Sequence, residues 1–278
     1  MDTQIILAKN LGHKAWLEYL LEIGSFSHFH TPHMSEFYSN YKNVEDISFF
    51  CFQNKKPVAF VPLGILSEKE KKYSFGVTPC HLPTFHVNLN PKTKRKLQES
   101  IYRLIFQQMI KKNIPSGDFF YHPIQATIFK HAKPTIKISY KDSFNISKFF
   151  DLEISFLNTN IIDLAKSINE IEGNLQSKLR HDLKRDFFNK TEFVILNSKN
   201  SKNNDLKEGL DNYKKLHLFA SGRNTRPIET WNSMMKMLEN SKLSLFFLKY
   251  NNEFISGQLS PEFFNSARSS SQASIKDE

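Results

Sequence analysis

Basic side chains on one predicted helix are the first residues whose spacing could do chemistry. Over residues 175–188, apolar side chains recur at every fourth position and form a stripe along one side of a helix: Leu175, Leu179, Leu183 and Phe187. The remaining arc of this helix carries its basic side chains, Lys178, Arg180, His181, Lys184 and Arg185. Lysine and arginine both bind phosphate, so this arc could contact a nucleotide-linked acceptor or the acceptor stem of a tRNA. The alternative is a solvated face on which Asp182 and Asp186 pair with the basic side chains of the same helix. The presence of these two acidic partners favours the solvated face over a phosphate contact.

A short loop offers a second basic group. Residues 221–226 read Ser-Gly-Arg-Asn-Thr-Arg and lie between two predicted helices. Arg223 and Arg226 could hold a carboxylate or a phosphate through paired hydrogen bonds. The alternative is structural, with Gly222 ending the first helix and both arginines exposed on the loop. The residues alone leave both interpretations open.

Histidines and cysteines give weaker chemical signals. His28, His30 and His33 cluster near a helix start, but a metal site needs ligands fixed on one side of a rigid element, so we predict no metal there. Cys80 is followed by His81, yet no orienting motif accompanies them, and an inert cysteine is expected. The sequence contains no HExxH, Walker, GxSxG or paired CxxC motif, which argues against zinc proteases, nucleotidases, α/β-hydrolases and zinc ribbons.

Composition indicates a globular protein with a substantial core, because 40% of the 278 residues are hydrophobic and 26 are phenylalanine. The formal net charge of +10 suits anionic partners such as nucleotides, coenzyme A, RNA or acidic lipids. The basic residues are scattered along the sequence, however, and this favours a lysine-rich surface without a partner. Two cysteines indicate a reducing compartment. With neither a signal-peptide pattern nor an apolar run of about 20 residues, we expect no transmembrane segment and a cytoplasmic protein.

The first part of the chain alternates between predicted helices and strands. Helices are expected at 10–23, from Thr31-Pro32 to residue 38 or 41, at 93–112 and at 124–131. Strands at 47–52 and 58–66 form a hairpin around residues 53–57. Further strands are expected at 73–77, 118–121, 135–140 and 147–154. This mixture favours an α/β or α+β fold over a helical bundle.

The second part begins a similar alternation. Helices are predicted at 160–171, 175–188, 205–220 and 227–240, with a strand at 192–196. Strands at 243–250 and 253–259 form a second hairpin around Asn251-Asn252, and residues 263–275 resemble one last strand. A hairpin with one more short strand cannot bury both faces alone, so we expect this unit to be incomplete at its C-terminus.

Four stretches of the chain resemble FemAB-like proteins, which consist of two GNAT-type domains in tandem. They are residues 26–38, 49–66, 175–196 and 217–259. The resemblance implies an α/β (α+β) fold in which each unit is a GNAT-like mixed sheet flanked by helices. It places a first GNAT-like domain at residues 1–154 and a second, C-terminally incomplete one at residues 155–278.

The resemblance implies an acyltransferase that moves an acyl or aminoacyl group to an amine of a sugar or cell-envelope precursor. The donor substrate would be acyl-CoA or aminoacyl-tRNA, with no tightly bound cofactor and no metal. Its partners would be an anionic small-molecule or nucleotide-linked substrate and tRNA, contacted by Lys178, Arg180, Lys184, Arg185, Arg223 and Arg226. The sequence does not identify a general base.

One departure from the family pattern keeps other functions open. A GNAT unit binds the pyrophosphate of coenzyme A on backbone amides at a helix N-terminus, but this sequence has no Gly-x-Gly, and the corresponding loop at 78–92 contains prolines and histidines. The alternatives are a non-catalytic phosphate- or nucleic-acid-binding protein that uses the basic helix, or an inactive truncated product.

Overall fold

A computed structural model of the chain describes residues 3–120, 162–184, 190–263 and 266–275. The predicted helix at 124–131 and the predicted strands at 135–140 and 147–154 lie outside these residues. The described part has an α+β fold of helices packed on several sheets, as expected. Its α-helices are α1 (His13–Ile23), α2 (Pro32–Lys42), α3 (Pro91–Lys112), α4 (Ile168–Gly173), α5 (Ser177–Leu183), α6 (Asn203–Ser221) and α7 (Ile228–Glu239).

The strands before residue 121 form three small sheets. An antiparallel sheet has the order β1-β3-β4-β8, from β1 (Gln4–Leu7), β3 (Phe49–Gln53), β4 (Lys56–Val61) and β8 (Thr84–Phe85). A second sheet has the order β2-β5-β6-β9, from β2 (Glu45–Asp46), β5 (Gly64–Ser67), β6 (Lys71–Tyr73) and β9 (Ser116–Gly117). The third is a parallel pair of β7 (Cys80–His81) and β10 (Phe119–Phe120).

The strands after residue 190 form one larger sheet. It has the order β11-β12-β13-β14, with β15 also paired to β13, from β11 (Thr191–Leu196), β12 (Leu243–Tyr250), β13 (Glu253–Phe263), β14 (Ser266–Ala267) and β15 (Ser271–Ser274). All of these pairings are antiparallel. The predicted last strand at 263–275 is therefore two short strands, and both pair with β13.

Both predicted hairpins are confirmed, and their turns explain why they form. Asn54 and Lys55 have φ angles of 49° and 64°, and Asn251 and Asn252 have 50° and 65°. Two successive left-handed residues match the right-handed twist of the flanking strands. The second strand of the first hairpin is shorter than predicted, because β4 ends at Val61 and the chain then enters β5 in another sheet.

The N-terminus of α2 forms as the sequence predicts. The Thr31 hydroxyl accepts a hydrogen bond from the Met34 amide (3.4 Å), and Pro32 is the first helical residue. Asn90 caps α3 in the same way, accepting from the Thr93 amide (2.9 Å) ahead of Pro91. Within the described residues, the helix predicted at 160–171 begins only at Ile168, as α4, and α5 covers part of the helix predicted at 175–188, whose last residues lie outside the described ranges.

Phenylalanines fill both faces of the β3–β4 hairpin. Phe50 and Phe60 are fully buried against Trp16 and Leu20 of α1. The opposite face, which includes Phe49, belongs to a larger core that continues into the second part of the chain. This hairpin is therefore covered on both sides, and each side buries phenylalanine.

In the second part, α6 lies on β13 and β15. Tyr213 of α6 is fully buried there, and it lies so close to Gly257 of β13 that a Cβ at that position would be 2.8 Å from the Tyr213 Cδ2. The absence of a side chain at Gly257 therefore lets the tyrosine ring rest on the sheet.

The two parts of the chain are joined mainly by the packing of α2 against α7. The Asn40 side-chain amide donates to the Ser233 hydroxyl (2.8 Å), and the Lys236 ammonium lies 3.0 Å from the Glu36 carboxylate. One contiguous cluster of buried apolar residues, from Phe29 to Ala273, runs through both parts. The predicted boundary at residue 154 lies outside the described residues, so the division into two domains stays a prediction.

Candidate anion-binding site

The described basic residues of α5 and of its C-terminal cap, Lys184, lie on an exposed surface, and they are called the basic residues of α5 below. Lys178, Arg180 and Lys184 point to solvent, and the Arg180 guanidinium donates to the Gly173 carbonyl (3.2 Å). Arg185 lies outside the described residues. The predicted apolar stripe is not buried, since Leu179 is 48% and Leu183 is 44% exposed. Among the described residues, this side of the helix is therefore not part of the buried core.

The loop between α6 and α7 separates its two arginines. Gly222 ends α6 in the left-handed conformation (φ 66°), and its amide donates to the Leu218 carbonyl (2.9 Å), as the structural interpretation predicted. Arg223 is exposed on this loop, whereas Arg226 is half-buried. The helix cap at Gly222 is therefore confirmed, whereas the expected exposure of both arginines holds only for Arg223.

The Arg226 guanidinium is held between aromatic rings from both parts of the chain. Its central carbon lies 5.2 Å from the ring centroid of Trp231 in α7 and 6.0 Å from that of Tyr41 in α2. Its Nη2 donates to the Ser271 hydroxyl (2.7 Å), while its Nε is buried without a hydrogen-bond partner in the described structure. A neutral hydroxyl does not compensate the positive charge, so the guanidinium keeps capacity for an anion.

A polar cluster surrounds this arginine. The Tyr213 and Ser271 hydroxyl oxygens are 2.6 Å apart, and burial raises the pKa of Tyr213 against the opposing effects of Ser271 and Arg226. The His217 ring packs between Tyr213 and Trp231, with centroid distances of 6.1 and 5.8 Å. Burial, with a smaller effect of Arg226, lowers the pKa of His217. The imidazole is therefore neutral at physiological pH and can accept a proton.

A second arginine takes a similar position over a ring of the first part. Arg268 lies in the loop between β14 and β15, and its guanidinium carbon is 4.5 Å from the ring centroid of Phe29. Phe29 in turn stacks on His81 at 4.2 Å and an interplanar angle of 24°. We call the two arginines with their rings, Arg226 over Tyr41 and Arg268 over Phe29, the arginine seam.

Arg268 was not among the residues predicted from the sequence to bind a substrate. Residues 263–275 were expected to be the last strand of an incomplete unit, and the one arginine among them, Arg268, was not considered as a ligand contact. In the sequence, Arg268 stands beside a run of serines, and this pattern does not indicate that the segment folds back onto Phe29.

Neither arginine of the seam forms an ion pair in the part of the chain that the structure describes. The ion pairs found there join other residues, for example Lys72 with Asp118 and Lys112 with Glu45. Two uncompensated guanidinium groups, one half-buried and one exposed, therefore lie where the two parts of the chain meet. Such groups bind carboxylates and phosphates, and Arg226 is already oriented by its aromatic contacts.

The histidine and cysteine candidates have structural surroundings. His30 Nδ1 accepts a hydrogen bond from the Ser27 amide (2.8 Å) in the short 3-10 helix before α2. Burial raises the pKa of Cys80 to about 12, which leaves its thiol protonated and inert, as expected. Within the described ranges, no three histidine, cysteine or acidic residues converge in a way that could hold a metal ion.

The comparisons with known proteins concern the fold. No protein-family model matches the sequence, and no curated protein matches it. Among solved structures, the chain is similar to the crystal structure of FemX, with a TM-score of 0.56 and 10% sequence identity over 99% of this chain and 80% of that chain. In the described residues, no helix has both the length and the apolar character that crossing a bilayer requires. The likeness to FemX supports a FemAB-like fold for this chain.

Proposed function

We propose that this protein is an acyltransferase that moves an aminoacyl group to an amine of a cell-envelope precursor. The observation that carries the proposal is the likeness to FemX, a Fem-family peptidoglycan aminoacyltransferase, over nearly the whole chain. The fold alone does not define a reaction, so the proposal also needs a site with suitable chemistry. The arginine seam supplies one.

In this proposal, the seam binds the anionic part of a substrate. Arg226 and Arg268 carry uncompensated positive charge, and aromatic rings hold both guanidinium groups in place. Planar guanidinium groups suit phosphates, so a nucleotide-linked precursor or the backbone of a tRNA fits better than a neutral sugar. Such substrates would place the reaction in the cytoplasm.

The transfer would join the acceptor amine to the acyl carbon of the donor. The amine nitrogen attacks the carbonyl carbon, a C–N bond forms, the ester bond to the donor breaks, and the donor hydroxyl leaves with a proton. The attacking amine must lose a proton, and the neutral imidazole of His217, next to Arg226, is suited to accept it.

The N-terminus of α3 favours aminoacyl-tRNA over acyl-CoA as the donor. A coenzyme A pyrophosphate would need free amides at the first turn of the helix after the loop at 78–92. Here the Asn90 side chain already accepts from the Thr93 amide, and Pro91 has no N–H to offer. The donor is therefore proposed to be aminoacyl-tRNA, which binds without a resident cofactor.

A transfer assay with two donors tests the proposal. The purified protein is incubated with a nucleotide-linked peptidoglycan precursor and either tRNA charged with radiolabelled amino acids or labelled acetyl-CoA. We expect label to pass from the tRNA to the precursor. Transfer only from acetyl-CoA would overturn the choice of donor, and a folded protein that transfers from neither would overturn the function.

A phosphate- or nucleic-acid-binding protein without catalysis is the second candidate. The exposed basic side chains of α5 favour it, because solvated lysines and arginines suffice for non-specific RNA binding. RNA binding that weakens steeply with salt, in a preparation with no transfer activity, would support this candidate over the first.

A further inference from the structure

A cleft in the first part of the chain lies apart from the residues of the arginine seam. It has a volume of about 200 Å³ and opens between the residues before α1, the first turn of α1, α2 and β2. The walls carry charged groups of both signs, Lys9, Glu36 and Asp46 among them. Drug-sized ligands occupy pockets of about 300 Å³ or more, so this cleft suits a molecule smaller than a nucleotide or a coenzyme.

The charge of Glu36 is already compensated. Its carboxylate lies 3.0 Å from the Lys236 ammonium and 3.9 Å from His13 Nε2. Glu36 therefore connects α2 to α7 at one wall of the cleft. Because it already has cationic partners, we do not expect it to bind the cationic group of a ligand.

Asp46 has hydrogen bonds but no cation. One carboxylate oxygen accepts from the Ser48 amide (2.8 Å), and the other accepts from the Ser35 hydroxyl. Within the described residues, no lysine, arginine or histidine lies within ion-pair distance of Asp46. A partly buried carboxylate held in this way presents an uncompensated negative charge to the cleft.

Two further polar groups line the cleft. The Ser39 hydroxyl oxygen is buried and has no hydrogen-bond partner in the described structure, although buried hydroxyls normally have one. Lys9 is exposed at the cleft and pairs with no carboxylate of the described chain. Among the described residues, the cleft thus offers one carboxylate without a cationic partner, one ammonium group without a carboxylate partner and one hydroxyl without a hydrogen-bond partner.

We propose that this cleft is a binding site for a small free α-amino acid. The ammonium group of the ligand, with its three donors, binds the Asp46 carboxylate and the Ser39 hydroxyl. The carboxylate of the ligand pairs with Lys9 at the opening. Only a zwitterion satisfies both charges, and the volume limits its side chain to a small one. The site stands independently of the proposed transfer reaction.

Titration of the full chain with small ligands tests the proposal. Glycine, L-alanine and L-serine are added through the millimolar range, and the melting temperature and the heat of binding are measured. We expect at least one of them to raise the melting temperature in a concentration-dependent way, because a ligand that binds only the native state stabilises it. L-Alaninamide, which has no carboxylate, and propionate, which has no ammonium group, should have no such effect.

Two variants link the binding to the cleft. Asp46→Asn keeps the size of the side chain and should weaken amino-acid binding at least about tenfold, since a charged hydrogen bond is lost. Lys9→Gln, at an exposed position that leaves folding intact, should also weaken it. Glu68→Gln is the control, because Glu68 pairs with Lys42 away from the cleft.

Two outcomes would overturn the site. The first is a cooperatively folded protein that none of the three amino acids stabilises. The second is binding that Asp46→Asn and Lys9→Gln leave unchanged, or that propionate reproduces. A protein that binds L-alanine here but transfers no label would refute only the proposed function, and an active enzyme with an empty cleft would refute only this site.

Discussion

Arg226 and the basic residues of α5 carry the same charge in opposite surroundings. Lys178, Arg180 and Lys184 extend into solvent from a short helix whose apolar side is also exposed. Arg226 is half-buried, lies beside Trp231 and is oriented by a hydrogen bond to Ser271. An exposed side chain must lose its rotational freedom when it binds a ligand, whereas Arg226 has largely lost it already.

Charge and spacing in the sequence identify candidate anion-binding residues, but the surroundings of each residue in the fold decide which of them can bind an anion specifically. Solvent and salt screen the charges of α5, so each of them contributes little to binding a specific ligand. The charge of Arg226 is partly desolvated and has no carboxylate partner in the described chain. The same type of residue can therefore be a solvated surface group in one region and an anchor for an anion in the other.

The largest effect should come from removing both charges of the seam. The double variant Arg226→Gln with Arg268→Gln should lower transfer to the precursor by at least about 100-fold, since each lost charged hydrogen bond costs roughly 1.5–3 kcal/mol. Single variants should each show part of the loss. Arg223→Gln removes an exposed arginine from the same loop and should stay close to wild type. Equal losses in Arg223→Gln and Arg226→Gln would show that only the net charge matters.

The next effect concerns the support of the seam by the sheet. Gly257→Ala would place a Cβ 2.8 Å from Tyr213 Cδ2, so the tyrosine must move away from the sheet and from Ser271. We expect the free energy of unfolding to fall by about 1–3 kcal/mol, measured by urea denaturation. Gly173→Ala in α4 is the matched control, because no atom lies within 4 Å of its added Cβ. If both variants unfold alike, the close packing of Tyr213 on Gly257 is wrong.

A pH effect should follow from His33, where charges of both parts meet. Burial, helped by His13 and Lys242 and opposed by Glu36, lowers the pKa of His33 to about 4. Between about pH 6.5 and pH 4, His33 is therefore protonated in the unfolded chain but neutral in the folded chain. Its contribution to the free energy of unfolding is complete above about pH 6.5 and is lost as the pH falls towards 4. Melting temperatures between about pH 7.5 and pH 5 should show this decline. His33→Gln should flatten it, and an unchanged slope in this variant would assign the decline to other groups.

The smallest effect should come from α5. Replacing Lys178, Arg180 and Lys184 by alanine should change the free energy of unfolding by less than about 0.5 kcal/mol per site, as expected at exposed positions. Transfer activity should change by less than about twofold. RNA binding could instead be lost, with the slope of its logarithmic binding constant against the logarithm of salt concentration reduced by about two. In that case α5, rather than the seam, is the nucleic-acid contact.

Much of the local structure could be predicted from the sequence. Thr31-Pro32 and the Asn251-Asn252 turn determine their own geometry, because capping and left-handed turns depend on a few neighbouring residues. The seam could not be predicted in the same way. Arg226 was selected by its residue type, but its contacts with Tyr41 and Ser271 depend on tertiary packing. Arg268 was missed because its position over Phe29 depends on how β14 and β15 return along β13.

The packing of α2 against α7 has a consequence for how the chain folds. Asn40 and Ser233, which join these helices, are 193 residues apart in sequence. Closing so long a loop costs conformational entropy before any contact repays it, so contacts of this kind form late and slow the folding reaction. During synthesis, the apolar side of α2 leaves the ribosome well before α7 exists to cover it. We therefore expect the arginine seam to form last in folding. Until α7 has been synthesised, the first part of the chain should depend on chaperones, because the apolar side of α2 is still exposed.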